Sequence, residues 1–185
     1  MTDAAPPDGT LIFLDPGSQF EIRLLREDED ALASAILAPA TGAGTADAAQ
    51  DVISRLRASD TSAIYGAHLA HELVGAYGIE RDGMANAVAL IAVREDRRRR
   101  GIGRAMLQDA LRRSGRRPLI AETDDEGLAF YKACGFKLVG RRVQPDGTAR
   151  YRIGWHAPGV RFKGGTTGAL THEPIANDPT DPPTS

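Results

Sequence analysis

Apolar positions along the chain follow two periods, and the places where the period switches mark the elements. Residues 20–25, FEIRLL, read as a strand. REDEDALASAILAPA puts Leu32, Ala35, Ile36 and Leu37 at helical spacing behind an acidic start, which suits a helix N-terminus. PATGAGT, residues 39–45, has the Pro and Gly content of a flexible loop. ADAAQDVISRLRASD carries Ala49, Val52, Ile53 and Leu56 on one helical stripe. Three strand-like runs follow, SAIYGAHL, ELVGAYGIE and NAVALIAV, and the last is wholly apolar over residues 87–93. Residues 104–113 return to the helical period through Met106, Leu107, Ala110 and Leu111 and stop near Gly115. RPLIAET is a further strand, and DDEGLAFYKACG a helix ending at Gly135. FKLVGRRVQ and TARYRIGWH form a hairpin across Pro145-Asp146-Gly147. The order β-α-α-β-β-β-α-β-α-β-β predicts an α/β domain on a mixed sheet.

Length and composition narrow the organisation. The 185 residues suit one domain with one core. Both ends are rich in Pro, Gly, Thr and Asp and poor in large apolar residues, so they cannot offset their ordering entropy by burial. The expectation is an N-terminal extension at 1–19, a packed domain at 20–156 and a flexible C-terminal tail at 157–185. A net charge of −2 argues against a chain built to bind polyanions, so no nucleic acid is expected as partner. A single cysteine, Cys134, rules out an intrachain disulfide and fits a reducing compartment. No basic-then-apolar leader and no apolar run near the ~20 residues of a membrane helix are present. A cytoplasmic protein without a membrane partner is expected.

Candidate chemistry sits in VALIAVREDRRRRGIGRAMLQDALRR, residues 88–113, where a buried strand runs into four arginines, a Gly-Ile-Gly turn and a helix. Amides of a glycine-rich turn that opens a helix converge on one spot and, with the positive helix end, bind an anion. Gly101 and Gly103 permit close backbone approach, and arginines add charge for phosphates. The Gly-Lys-Ser/Thr ending of a P-loop is absent, and Met106 stands where a dinucleotide fingerprint needs a small residue. Spacing alone leaves a phosphate cradle and a solvated loop both open.

A second segment bears on that choice. Arg98-x-x-Gly101-x-Gly103 behind an apolar strand, followed by an Asp124-led helix with Phe130-Tyr131 and then Gly135-Phe136, resembles the GNAT superfamily of N-acetyltransferases. The resemblance is close over residues 73–138 and elsewhere extends only to element order. It implies a mixed, mostly antiparallel sheet splayed between its fourth and fifth strands, with helices on both faces and acetyl-CoA in the gap. Backbone groups of Ile91, Ala92 and Val93 would pair with the pantetheine arm as a further strand would. Amides of Arg99, Arg100, Gly101, Ile102, Gly103 and Arg104 would hold the pyrophosphate. Asp124 stands where the family usually has Asn, which contacts the pantetheine; Asp lacks the amide donor for that contact. Tyr131 is at the position of the family's usual general acid. A tyrosine keeps its proton at neutral pH and can give it to a departing thiolate if the site favours that transfer.

The amine acceptor must be neutral to attack, and the fourth strand offers no base. Glu122, near the end of the fifth strand, is the nearest acidic candidate, with Glu80 in reserve. The acidic cluster has a structural reading too, since Thr123-x-x-Glu126 is a capping box. His68 and His71 are expected to flank a turn and face solvent, and no metal is expected. Members of the resembled family are often homodimers, and the first two helices with the loop between the last strands shape the acceptor site. The reading is an N-acetyltransferase acting on a primary amine of a small molecule or protein. The alternative is a non-catalytic acyl-CoA-binding sensor or regulatory module.

Overall fold

The computed structural model describes residues 10–15, 18–115 and 117–155. Eight strands and four α-helices lie among them: β1 Thr10–Asp15, β2 Ser18–Leu24, α1 Asp30–Leu37, α2 Ala46–Arg57, β3 Ser62–Leu69 and β4 Glu72–Asp82, then β5 Ala85–Val93, α3 Ile102–Ser114, β6 Leu119–Thr123, α4 Asp125–Ala133, β7 Lys137–Val143 and β8 Ala149–Trp155. They form one mixed sheet in the order β1-β2-β3-β4-β5-β6-β8-β7. Every neighbouring pair is antiparallel except β5 and β6. This is the α/β architecture expected from the element order, with one strand more. β1 pairs with β2 from Thr10↔Ile22 onward, so the sheet begins ten residues before the expected start at Phe20. Its apolar core, residues 11–14, is a strand signal that the polar, proline-rich flanks overshadowed, and its place is set by the edge of β2. The expected tail and residues 1–9 lie outside the described residues.

Helices cover both faces of the sheet. Successive residues of a strand point to opposite sides, so Ala76 and Tyr77 of β4 belong to different cores. On one face Ala76, Leu73, Ile64 and Leu90 pack beneath Ala33, Ile36 and Leu37 of α1 and Ala49, Ile53 and Leu56 of α2. On the other, Tyr77, Val88, Leu119 and Ile153 pack beneath Ile102, Met106, Leu107 and Ala110 of α3 and Tyr131 of α4. Truncating any of these fully buried aliphatic side chains to Ala typically costs about 2–5 kcal/mol. The α2 stripe holds as expected. In α1 the buried set is Ala33, Ser34, Ile36 and Leu37, whereas Leu32 and Ala35 are exposed. With only eight residues between two 3-10 turns, the helix shows the sheet a narrower and rotated face.

His68 is also placed differently from expectation. The β3–β4 turn is Ala70-His71, both at positive φ (48° and 73°), and His71 is exposed there. His68 instead lies inside β3, 3% exposed, with Nε2 2.8 Å from Glu29 Oε1. Arg23 of β2 donates to both oxygens of the same carboxylate, at 2.8 and 2.9 Å. An acid 39 residues upstream buries this histidine, a pairing no local pattern announces. Among the described residues no helix is long and apolar enough to cross a membrane.

Candidate active site

The parallel pair β5–β6 is the break in the sheet. Pairing runs through Asn86↔Leu119, Ala87↔Ile120 and Val88↔Ala121 and stops there. β5 continues for five more residues, held on its other side by β4 through Leu90↔Gly78, Ile91↔Tyr77, Ala92↔Ala76 and Val93↔Gly75. Register shifts between Gly78 and Ile79 of β4, which leaves Ala89 as an extra residue in β5. Such a bulge bends the strand away from its neighbour. A cavity of about 840 Å³ fills the gap. Its walls include Ile91, Ala92 and Val93 on one side and Glu122, Thr123, Asp124 and Tyr131 on the other.

At the end of the gap lies the glycine turn. Gly101 precedes α3 in the left-handed conformation, φ +82°, and Arg99 is left-handed too, φ +62°. Arg99, Gly101, Ile102, Gly103 and Arg104 thereby line the gap at a helix start. Among the described residues none of the amides of residues 99–104 donates to a backbone carbonyl outside the helix ladder. Gly103 brings α3 against its neighbours: a Cβ there would sit 3.3 Å from the Phe130 ring and 3.6 Å from Val93 Cγ2. The arginines divide by role. Arg94 and Arg97 pair with Glu72 and Asp96, and Arg98 Nε donates to the Val93 carbonyl at 3.2 Å, tying the loop to the end of β5. Arg99 and Arg104 line the gap without an ion pair among the described residues, and Arg100 stands exposed outside the lining.

Tyr131 enters from α4. That helix is capped by Asp124, whose Oδ1 accepts from the Gly127 amide at 3.0 Å. The expected Thr123–Glu126 box is not what caps it, because Asp124 has the extended conformation of an N-cap and Thr123 is still in β6. Asp124 is therefore tied to its own helix, and it lines the gap from there. Tyr131 is 5% exposed, with its ring edge-on to Phe130 and Phe136 at centroid distances of 5.2 and 5.3 Å. Its hydroxyl makes no hydrogen bond among the described residues. Burial, and secondarily the neighbouring Cys134 thiol, push its pKa well above the usual tyrosine range.

A second cavity, of about 520 Å³, lies next to the first. The two share Ala40 and Thr41, Val88, Ala89 and Leu90 of β5, Glu122 of β6 and Arg150 of β8. Glu122 is thus at the junction, its Oε2 2.8 Å from Arg142 of β7. Glu80 lines only the second cavity and is paired with Arg55 of α2. Residues 40–43, from the loop expected between the first two helices, roof the second cavity. Sequence reasoning missed Arg150. Its signal was the alternation of β8, where Arg150 and Arg152 share the face opposite Tyr151 and Ile153. No three His, Cys, Asp or Glu side chains among the described residues cluster as metal ligands would.

With this geometry the comparisons with known proteins can be read. Residues 60–138 match the family model described as an acetyltransferase (GNAT) domain. A search of curated proteins finds no match. Among solved structures, an aminoglycoside 6'-N-acetyltransferase complexed with coenzyme A is similar at TM-score 0.64 and 14% identity, over 73% of this chain and 96% of that one. A GNAT family acetyltransferase from Elizabethkingia anophelis with acetyl-CoA bound gives 0.60 and 18%, over 75% and 98%. The ribosomal-protein-S18-alanine N-acetyltransferase from Escherichia coli gives 0.61 and 18%, over 77% and 99%. The splayed sheet, the glycine turn and the matched segment agree: the chain has the GNAT fold, and its residues 60–138 are similar to the GNAT acetyltransferase domain.

Proposed function

We propose that the protein is a cytoplasmic N-acetyltransferase that moves the acetyl group of acetyl-CoA directly to a primary amine. The observation that carries this is the early end of β5–β6 pairing, which leaves a strand edge open between a glycine turn at a helix start and a buried tyrosine. An extended arm can add to that edge through the backbone of Ile91, Ala92 and Val93. The amides of Arg99, Arg100, Gly101, Ile102, Gly103 and Arg104, at the positive end of the 13-residue helix α3, suit a pyrophosphate. Arg99 and Arg104 add charge, and Asp124 borders the arm.

Acetyl-CoA supplies an acetyl thioester, whose sulfur departs as a thiolate. Tyr131 holds a proton for that sulfur. Its raised pKa keeps the hydroxyl protonated at neutral pH, and the dry surroundings that raise it raise a thiol as well, so the two remain matched for transfer. Glu122, at the junction of the two cavities, takes the proton that the attacking amine gives up. The test is a screen of amines with acetyl-CoA that reads free thiol. Amine-dependent release above hydrolysis is expected. Acetyl-CoA binding with no amine-dependent release across the screen overturns the reading and leaves an acyl-CoA-binding module.

A further inference from the structure

The second cavity is floored by a sheet face on which charges are laid out in pairs. Arg55 holds Glu80, Arg152 holds Asp82 at 3.2 Å, and Arg142 holds Glu122 at 2.8 Å. Arg150 has the loosest of these pairings, with Asp124. Its closest carboxylate oxygen is Asp124 Oδ2 at 4.0 Å, beyond hydrogen-bond reach, and the other oxygen of Asp124 already caps α4. Among the described residues the Arg150 guanidinium makes no hydrogen bond, although its side chain is only 29% exposed. It lines both cavities and so stands where acyl donor and acceptor would meet.

A guanidinium on a half-buried side chain, with no hydrogen bond to protein among the described residues, suits a planar anion, which it can grip with two parallel bonds. Its position also discriminates among amines. A simple alkylammonium entering the junction meets a positive charge that Asp124, 4.0 Å away, only partly offsets. An amine that brings its own carboxylate cancels that charge while placing its nitrogen beside Glu122. Ala43, Ala48, Val52 and Leu90 supply an uncharged wall for the remainder of such a molecule, and about 520 Å³ accommodates it. We infer that the acceptor is a free amino acid, its carboxylate paired with Arg150 and its amine directed at the thioester carbonyl. This rests on the acetyl-transfer reading above. In the reaction the amine nitrogen bonds to the acetyl carbon as the carbon–sulfur bond breaks. The nitrogen's proton passes to Glu122, the sulfur leaves with the electron pair and takes the Tyr131 proton, and the carboxylate is unchanged.

The experiment offers the free L-amino acids and their matching L-amino acid carboxamides with acetyl-CoA to the parent, R150Q and R150K proteins, with melting curves to check folding. The best amino acid should exceed its carboxamide in kcat/KM by roughly tenfold or more, mainly through KM. R150Q should collapse that ratio, and R150K should restore part of it. Titration of the same amino acids into CoA-saturated protein reads binding without turnover. Amino acids that bind the parent but not R150Q, with no thiol released, retain the carboxylate site and sink acetyl transfer instead. Carboxamides turned over as well as carboxylates, with the ratio unmoved by R150Q, overturn the inference and leave acetyl transfer standing. Absence of both binding and release with every free amino acid overturns it outright. So does an R150Q protein whose altered preference lies between succinyl-CoA and acetyl-CoA, since Arg150 would then read the acyl group.

Discussion

Tyr131→Phe removes one oxygen from a buried ring held edge-on by Phe130 and Phe136, so the packing should survive it. Loss of a general acid costs about 10²–10⁴ in rate. The defect should appear equally in kcat and kcat/KM, because the proton is needed in the transition state and not for binding. Steady-state kinetics with a good amine check this, and CoA affinity should stay within a few-fold. A variant that turns over like the parent reduces Tyr131 to a packing residue, and one that loses CoA reassigns it to positioning. Glu122→Gln tests the partner role. It should slow the reaction chiefly below the amine's own pKa, where a proton has to be removed, and a pH–rate profile parallel to the parent's would return Glu122 to its ion pair with Arg142.

At the scale of elements, the junction of β5, α3 and α4 determines whether a cofactor can lie down. Gly103 is the contact point, where a Cβ would lie 3.3 Å from the Phe130 ring and 3.6 Å from Val93, so a larger side chain must push its neighbours aside. Gly103→Val should weaken CoA binding at least about tenfold, or ~1.4 kcal/mol, as measured by calorimetry on a variant shown to be folded by its melting curve. Unchanged affinity in that variant would remove the glycine turn from the binding site. Arg98 belongs to the same junction by a different route. It reaches back to the Val93 carbonyl and so shapes the turn, where the sequence pattern alone would count it with the phosphate ligands.

The whole molecule depends on how the lead-in to α1 is anchored to the sheet. Burial would raise the pKa of Glu29, but hydrogen bonds from Arg23, from the Arg26 amide and from His68 outweigh it and hold the carboxyl at about 2, down from 4.5. A pKa depressed by folding contributes stability that is fully present above about 4.5 and is lost as pH falls toward 2. The shift corresponds to about 3 kcal/mol. Glu29→Gln should therefore lower the melting temperature at pH 7 and lessen the parent's loss of stability between pH 4.5 and 2. Denaturation at several pH values checks both, and parallel pH profiles for parent and variant would count against the carboxylate.

What local pattern can encode was legible in the chain. The apolar run at 87–93, the stripes of α2 and α3, the hairpin at Pro145-Asp146-Gly147 and the glycine turn all depend on contacts within a few residues, and each forms where the period and turn residues put it. Motif spacing then carried Tyr131, Glu122 and the turn to one gap, because the elements that bear them are neighbours in the sheet order. Other features needed chain segments far apart in sequence. The strand at Thr10–Asp15 has an apolar run of its own, but its membership of the sheet comes from pairing with β2. His68 is buried by Glu29 and Arg23. Arg150 is left with only the 4.0 Å pairing to Asp124 once Arg55 of α2, Arg142 of β7 and Arg152 of β8 have each taken a carboxylate from β4 or β6. Charge pairing on a sheet face is a property of cross-strand register, and register is settled by tertiary packing, beyond what a single strand's sequence specifies.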